Sequence, residues 1–306
     1  MGRLALRVTA GVALLVLAVW YADPAALWSE LRRADPWRFA LAVAVAIAAN
    51  VLAAARWAAI ARGLGLTAPT GRSILIYARG VTTTILLPGA TVTGDLLRSV
   101  QLSRLGNPFT ASALSVLLAR FSGLWVLCVL SLLAAAALAS LGARVAPVAP
   151  HSMAVYVGVL TAVVIAPFIP LPFGRLERSR IARVAGLAQR WERLRERLRQ
   201  ARPALMASVW QSLGVQFLSA CVLWICGQAV GLWLSYPLML AAAAPIFISA
   251  ALPLGVAGFG TREVAAVVVL GALGAPADQA TATALLYGLA AVVQGIIAAP
   301  LFLSRA

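Results

Sequence analysis

From Phe109 to Leu141 the chain runs without a charged side chain other than Arg120. A helix needs only about 20 apolar residues to cross the hydrocarbon core of a bilayer, so this segment predicts a span that is tilted or extends beyond the core. Comparable apolar runs cover Val8–Ala22, Trp37–Ala61, Met153–Pro170, Ala204–Val230 and Thr281–Leu303. The 306 residues are 62% hydrophobic and 11% charged, against roughly 25% charged in soluble domains, so no watery surface can be built from them. The expected fold is all-α: one integral membrane domain over residues 1–306, with about six full spans.

Charge sets the expected orientation. All 25 basic residues are arginine, against 9 acidic ones, for a net charge of +16. With no soluble fold to present that charge, the excess reads as topology-setting loop charge rather than a nucleic-acid site. The one substantial hydrophilic segment, residues 172–203, holds ten arginines and three glutamates, a balance of +7, and is expected in the cytoplasm. Within it Val184, Leu187, Trp191, Leu194 and Leu198 fall at helical spacing. Two readings stand beside each other: an amphipathic helix that sets Arg190, Arg193 and Arg197 on anionic lipid headgroups, and a topology-setting loop that happens to be helical.

The run after Arg3 and Arg7 is read as the first span, and Leu27, Trp28 and Leu31 mark a short helix on the outer surface. Trp37 and Trp57 fit interfacial anchoring, and Arg56, Arg62 and Arg72 form a basic cluster at the cytoplasmic end of the second span. Both termini are expected in the cytoplasm, and the protein in a bacterial inner membrane. Cys128, Cys221 and Cys226 lie in apolar runs and His151 in a short connection, so neither a metal site nor a cofactor is expected.

Two regions do not read as ordinary spans. Residues 73–105 are interrupted by Leu87-Pro88-Gly89-Ala90-Thr91-Val92-Thr93-Gly94-Asp95, and residues 233–275 by Pro253-Leu254-Gly255-Val256-Ala257-Gly258-Phe259-Gly260-Thr261-Arg262-Glu263. Arg72 and Arg104 flank the first, whereas Trp233, Tyr236, Pro276 and Asp278 flank the second. The expected topology is therefore two broken, re-entrant helical hairpins from opposite faces, in an inverted-repeat-like arrangement that builds a midplane site in many transporters; an irregular full span at each region is the simpler alternative. Non-helical backbone at that depth requires a polar surrounding.

Asp95 and Glu263 each follow a threonine by two residues and look like matched helix starts, where a threonine caps and a carboxylate meets the first-turn N–H groups. An ionisable group inside a bilayer persists when paired or functional. Candidate partners are Arg79, Arg98, Arg120 and Arg262. Arg98 shares a helix face with Asp95, and Arg120 must meet Asp95, Glu263 or an anionic ligand such as a lipid phosphate.

The run Leu87-Pro88-Gly89 to Gly94-Asp95-Leu96-Leu97-Arg98, with Ser115-Val116-Leu117-Leu118-Ala119-Arg120, resembles the lysylphosphatidylglycerol synthase transmembrane family. Pro253-Leu254-Gly255 and Gly258-Phe259-Gly260-Thr261-Arg262-Glu263 resemble that family's second signature. The resemblance spans residues 10–303 and implies a flippase-like domain that moves phospholipids or lipid-linked sugars, here without the soluble aminoacyl transferase. Thr93 stands where the family usually has another glycine, and Tyr287 where an arginine is expected. A non-enzymatic lipid transporter is thus the leading expectation. The alternatives are a membrane-embedded enzyme acting on lipid phosphates and a non-transporting partner of a separately encoded lipid synthase or glycosyltransferase.

Overall fold

The computed structural model describes residues 24–86, 90–140, 150–165, 182–251 and 258–302, together with Val16 and Trp20. These residues form ten α-helices: α1 (Pro24–Arg33), α2 (Pro36–Gly63), α3 (Thr70–Leu86), α4 (Ala90–Ser103), α5 (Phe109–Ser140), α6 (Pro150–Ile165), α7 (Ala182–Ala229), α8 (Tyr236–Ala251), α9 (Thr261–Gly271) and α10 (Ala277–Ala298). A 3-10 turn, Ala299–Phe302, extends α10. Four stretches are long and apolar enough to cross a membrane: Pro36–Gly63, Phe109–Ser140, Ala201–Ala229 and Ala277–Phe302. The chain is an integral membrane protein, and its described residues form an all-helical fold. The expected first span, Val8–Ala22, lies almost wholly outside the described residues, as do Pro88, Gly89, Pro253 and Gly255.

Local chemistry accounts for the helix starts. Asp35 caps α2 by accepting from the backbone N–H groups of Trp37 and Arg38 at 2.9 and 3.2 Å, and Pro36 supplies a preset first turn. The amphipathic α1 buries Leu27 and leaves Trp28 exposed beneath the Arg32 guanidinium.

Helices α2 and α7 lie antiparallel along their lengths: Gly63 meets Ala204, Gly214 meets Leu52, and the Asp35 N–H donates to the Ala229 carbonyl at 2.9 Å. Their interface uses small residues, with Ala42, Ala46, Ala49 and Ala53 all buried. In lipid there is no hydrophobic gain from joining helices, so close approach of backbones supplies the attraction.

Each broken region folds back on itself. In the first, Gly80 on α3 faces Arg98 on α4, and Thr84 faces Gly94, so the arms run antiparallel. In the second, Gly258 takes a left-handed φ of +80° and turns the chain back against Ala250. Helix α10 is shared by both. Arg79 on α3 reaches the Leu301 carbonyl and Thr82 donates to the Gly295 carbonyl at 3.2 Å, so α3 climbs α10 from its C-terminal end. The start of α9 meets α10 at Gly288, where the Arg262 guanidinium lies. Gly288 and Gly295 are seven residues apart, about 10 Å along the helix axis.

Two expectations need correction. Arg56 is not a loop charge at the cytoplasmic end of α2: it is 6% exposed and sits among α2, α5 and α7. Trp57 is no interfacial anchor, because it is buried, donates to Ser115 Oγ at 3.1 Å and packs against Tyr77; Trp37, by contrast, is exposed. Helix α7 runs unbroken from Ala182 through Pro203 to Ala229, joining part of the arginine-rich segment to the span that follows it. The side chains of His151, Arg190, Arg193 and Arg197 lie outside the described residues.

Candidate functional site

The two acids are not a matched pair. Helix α4 begins at Ala90, which puts Thr93 and Gly94 inside the helix and Asp95 in its second turn rather than at a cap. Helix α9 begins at Thr261 with Gly260 at the cap, and Glu263 reaches back to accept the Gly260 N–H at 2.6 Å. Glu263 therefore does what a capping carboxylate does, whereas Asp95 is free to look sideways.

Asp95 looks toward two arginines. Arg98, one turn along α4, stands 3.6 Å from Asp95 Oδ1, and Arg120 Nε on α5 donates to Oδ2. Arg98 lies across Gly80, where any Cβ would collide with its side chain, and its guanidinium stacks 3.8 Å over the Tyr77 ring. Stacking and the glycine gap hold Arg98 flat between the hairpin arms. The Arg120 side chain keeps 39% of its surface exposed, against 19% for Asp95. Arg120 lies about 7 Å from the midpoint of α5 along its axis, and its flanks Leu117, Phe121 and Leu124 are exposed apolar residues.

The second cluster is closed. Arg262 donates from Nη2 and Nε to Glu263 Oε1 at 2.8 and 3.1 Å, with Phe259 and Tyr287 on its faces. Both partners are buried and Gly288 lies against the guanidinium. Gly258, Gly260 and Thr261 form the turn itself, and Thr261 Oγ1 donates to the Gly258 carbonyl at 3.3 Å. Arg79 is elsewhere again: its Nε and Nη2 donate to the Leu301 carbonyl, tying α3 to the end of α10. Of the predicted residues, the structure brings Asp95, Arg98 and Arg120 together, pairs Arg262 with Glu263 at a separate place, and gives Arg79 a cap.

Sequence reasoning missed Arg56, Tyr77 and Gly80. Arg56 donates from Nη1 to Ser212 Oγ at 2.9 Å and from Nη2 to the Ala119 carbonyl at 3.1 Å, while Gly123 clears space for it. The available signal was the run of small residues Ala53, Ala54 and Ala58 around it, which lets neighbouring helices close over a residue that an exposed helix end would leave in water.

Beside this cluster a groove of about 300 Å³ opens between α2, α3 and α10, lined by Ile47, Val51, Tyr77, Val81 and Ile297 and crossed by the Asn50–Gln294 hydrogen bond. Its apolar walls suit hydrocarbon, and Tyr77 stands both on its wall and beneath Arg98.

A helical membrane protein with arginines gathered on one carboxylate is suited to holding an anion within reach of lipid. Residues 8–299 match the model of the lysylphosphatidylglycerol synthase TM region, and the chain belongs to that family. No curated protein and no solved structure is similar enough to match the chain. Membership makes it a membrane protein of a family tied to lipid biosynthesis or lipid flipping, in association with membrane lipids.

Proposed function

We propose that this protein is a lipid transporter that takes an anionic phospholipid or lipid-linked headgroup at Asp95, Arg98 and Arg120 and moves it between leaflets. The observation that carries the reading is a carboxylate shared by two arginines, one of them two-fifths exposed on an otherwise apolar span. A guanidinium in the hydrocarbon region costs a few kcal/mol or more unless it is paired or solvated. Asp95 offsets one positive charge, and a guanidinium exposed to that degree on an apolar span suits a phosphate, which it meets with planar, charge-assisted donors.

In this reading the hairpins enter from opposite faces, and α10 is the post along which their tips approach. The six spans comprise the four long apolar helices, α6 and the first apolar run. The termini and the segment 172–203 lie in the cytoplasm of a bacterium, where Arg190, Arg193 and Arg197 meet anionic headgroups. Arg262 and Glu263 fix the tip of the second hairpin, and the headgroup moves past it while the hydrocarbon chains stay in lipid. Alternating exposure of the arginine cluster then constitutes the transport step.

The test is movement of a fluorescent anionic lipid across vesicles containing the purified protein. Arg120→Ala and Asp95→Ala should each slow it at least tenfold while leaving the protein folded. Wild-type rates in both variants would remove the cluster from the mechanism. A second reading draws on α7, whose 19 residues before Ala201 continue the span as one helix. That arm reaches about 28 Å, far enough to dock a lipid synthase or glycosyltransferase, and co-purification of such an enzyme that depends on residues 182–200 would favour it.

A further inference from the structure

Among the described residues nothing offsets the charge on Arg56. Its hydrogen bonds go to a hydroxyl and a backbone carbonyl, Ser212 Oγ and Ala119 O, both neutral. Its Nε is buried without a hydrogen-bond partner, and so is the Nε of Arg98. Among the described residues no carboxylate lies within ion-pair distance of Arg56.

Arg56 is also part of the same neighbourhood as the Asp95 cluster. Its Nη2 is bonded to the residue directly before Arg120. Its neighbour Trp57 packs on Tyr77, the ring that carries Arg98 at 3.8 Å. Asp95 is met by Arg98 and Arg120 but not by Arg56, so the buried charge on Arg56 has no counter-charge among the described residues.

Buried charge of that kind is destabilising unless a counter-charge is brought to it, because hydrogen bonds to neutral groups satisfy donors without neutralising the ion. A phosphodiester brings one negative charge. A terminal phosphate brings about two at neutral pH, with oxygens enough to serve several guanidinium groups at once.

We propose that the cluster selects lipids that end in a phosphomonoester or pyrophosphate over phosphodiester lipids, and that Arg56 is the residue that sets this preference. The proposal rests on the lipid-binding reading above and names its substrate class. Arg98 and Arg120 meet the phosphate oxygens beside Asp95. Arg56, bonded to the carbonyl of the residue before Arg120, supplies the field that favours the second negative charge. The groove walled by Ile47, Val51, Tyr77 and Ile297 receives the hydrocarbon attached to that phosphate.

The experiment is equilibrium binding to the purified full-length chain in phosphatidylcholine nanodiscs, with phosphatidic acid, phosphatidylglycerol, inorganic phosphate and pyrophosphate as competing probes. Wild-type protein should bind phosphatidic acid at least about tenfold more tightly than phosphatidylglycerol. That ratio requires no variant, so it tests the idea whether or not any substitution folds. In Arg56→Gln the ratio should fall to about one while phosphatidylglycerol binding persists, and Arg56→Lys should restore it. Equal binding of the two lipids by the wild type, or an unchanged ratio in folded Arg56→Gln, would overturn the proposal but leave the transporter reading in place. Inorganic phosphate or pyrophosphate binding as tightly as phosphatidic acid would also overturn it, by assigning the site to a free anion. Failure of every lipid to bind would end both.

Discussion

Gly94 stands where the two arms of the first hairpin press closest, and replacing it by alanine tests the packing and the site together. A Cβ at residue 94 would run into Thr84 Oγ1 and lie 2.6 Å from the Gly80 carbonyl oxygen, where ordinary contact begins at 3.4 Å. The threonine can rotate away, but the carbonyl belongs to the backbone of α3, so the arms must part. Overpacking of this kind costs about 1–3 kcal/mol, and alanine recovers about 1 kcal/mol through its better helix propensity. The net expectation is a loss of up to about 2 kcal/mol. Gly158→Ala in α6, where no atom lies within 4 Å of the added methyl, should instead be neutral or stabilising by up to about 1 kcal/mol. Thermal unfolding followed by tryptophan fluorescence, at about 2–4 °C per kcal/mol, separates the two variants. Adding Thr84→Ala to Gly94→Ala should recover little. Asp95 follows Gly94 directly, so parting the arms also draws the carboxylate from Arg120 and should slow lipid movement. A Gly94→Ala protein that melts like Gly158→Ala would refute the close approach of α3 and α4.

Three further outcomes follow from the buried arginines. Glu263→Gln leaves Arg262 buried without its carboxylate and should cost about 3–5 kcal/mol, while Arg262→Met combined with Glu263→Gln should recover part of that loss; unfolding measurements that find the double variant the worse of the two would contradict the pairing. Gly288→Ala sets a methyl against the Arg262 guanidinium and 2.8 Å from the Phe259 ring, so it should destabilise by about 1–3 kcal/mol and show strong non-additivity with Arg262→Met in a double-mutant cycle. Arg79→Gln gives up the paired donation to Leu301, about 1.5–3 kcal/mol for a charged hydrogen bond, and should make the end of α10 more susceptible to limited proteolysis.

The helices were legible because a bilayer imposes one length and one composition: the runs at 37–61, 109–141 and 204–230 contain no polar interruption that could be anything but a span or its edge. The Gly/Pro clusters at 87–95 and 253–263 marked the two places where those rules lapse. What the runs could not tell was which side chains face which. Asp95 and Arg120 are 25 residues apart, and their meeting depends on how α4 leans on α5, a matter of small-residue contacts that carry no hydropathy signal. The acids also looked alike in sequence, each two residues after a threonine. They diverge because α4 starts five residues before Asp95, whereas α9 starts two residues before Glu263, directly after Gly260 with its φ of +92°. Arg56 and Trp57 were misplaced for one reason: near the end of a span, charge and aromaticity suit both an interface and an interhelical seam. Only the covering helices decide between them, α5 and α7 for Arg56 and α3 and α5 for Trp57.

Helix α7 has a mechanical consequence. It extends for about 72 Å without a loop, from the arginine-rich stretch at one end to Ala229 at the other, and on the way it seats Ser212 and Gln216 against α2 and α5. A rod of that kind has little compliance except near Pro203, where a missing N–H removes one rung of the ladder. A push or twist applied to its outer arm arrives at the Arg56 guanidinium with few joints in between to dissipate it.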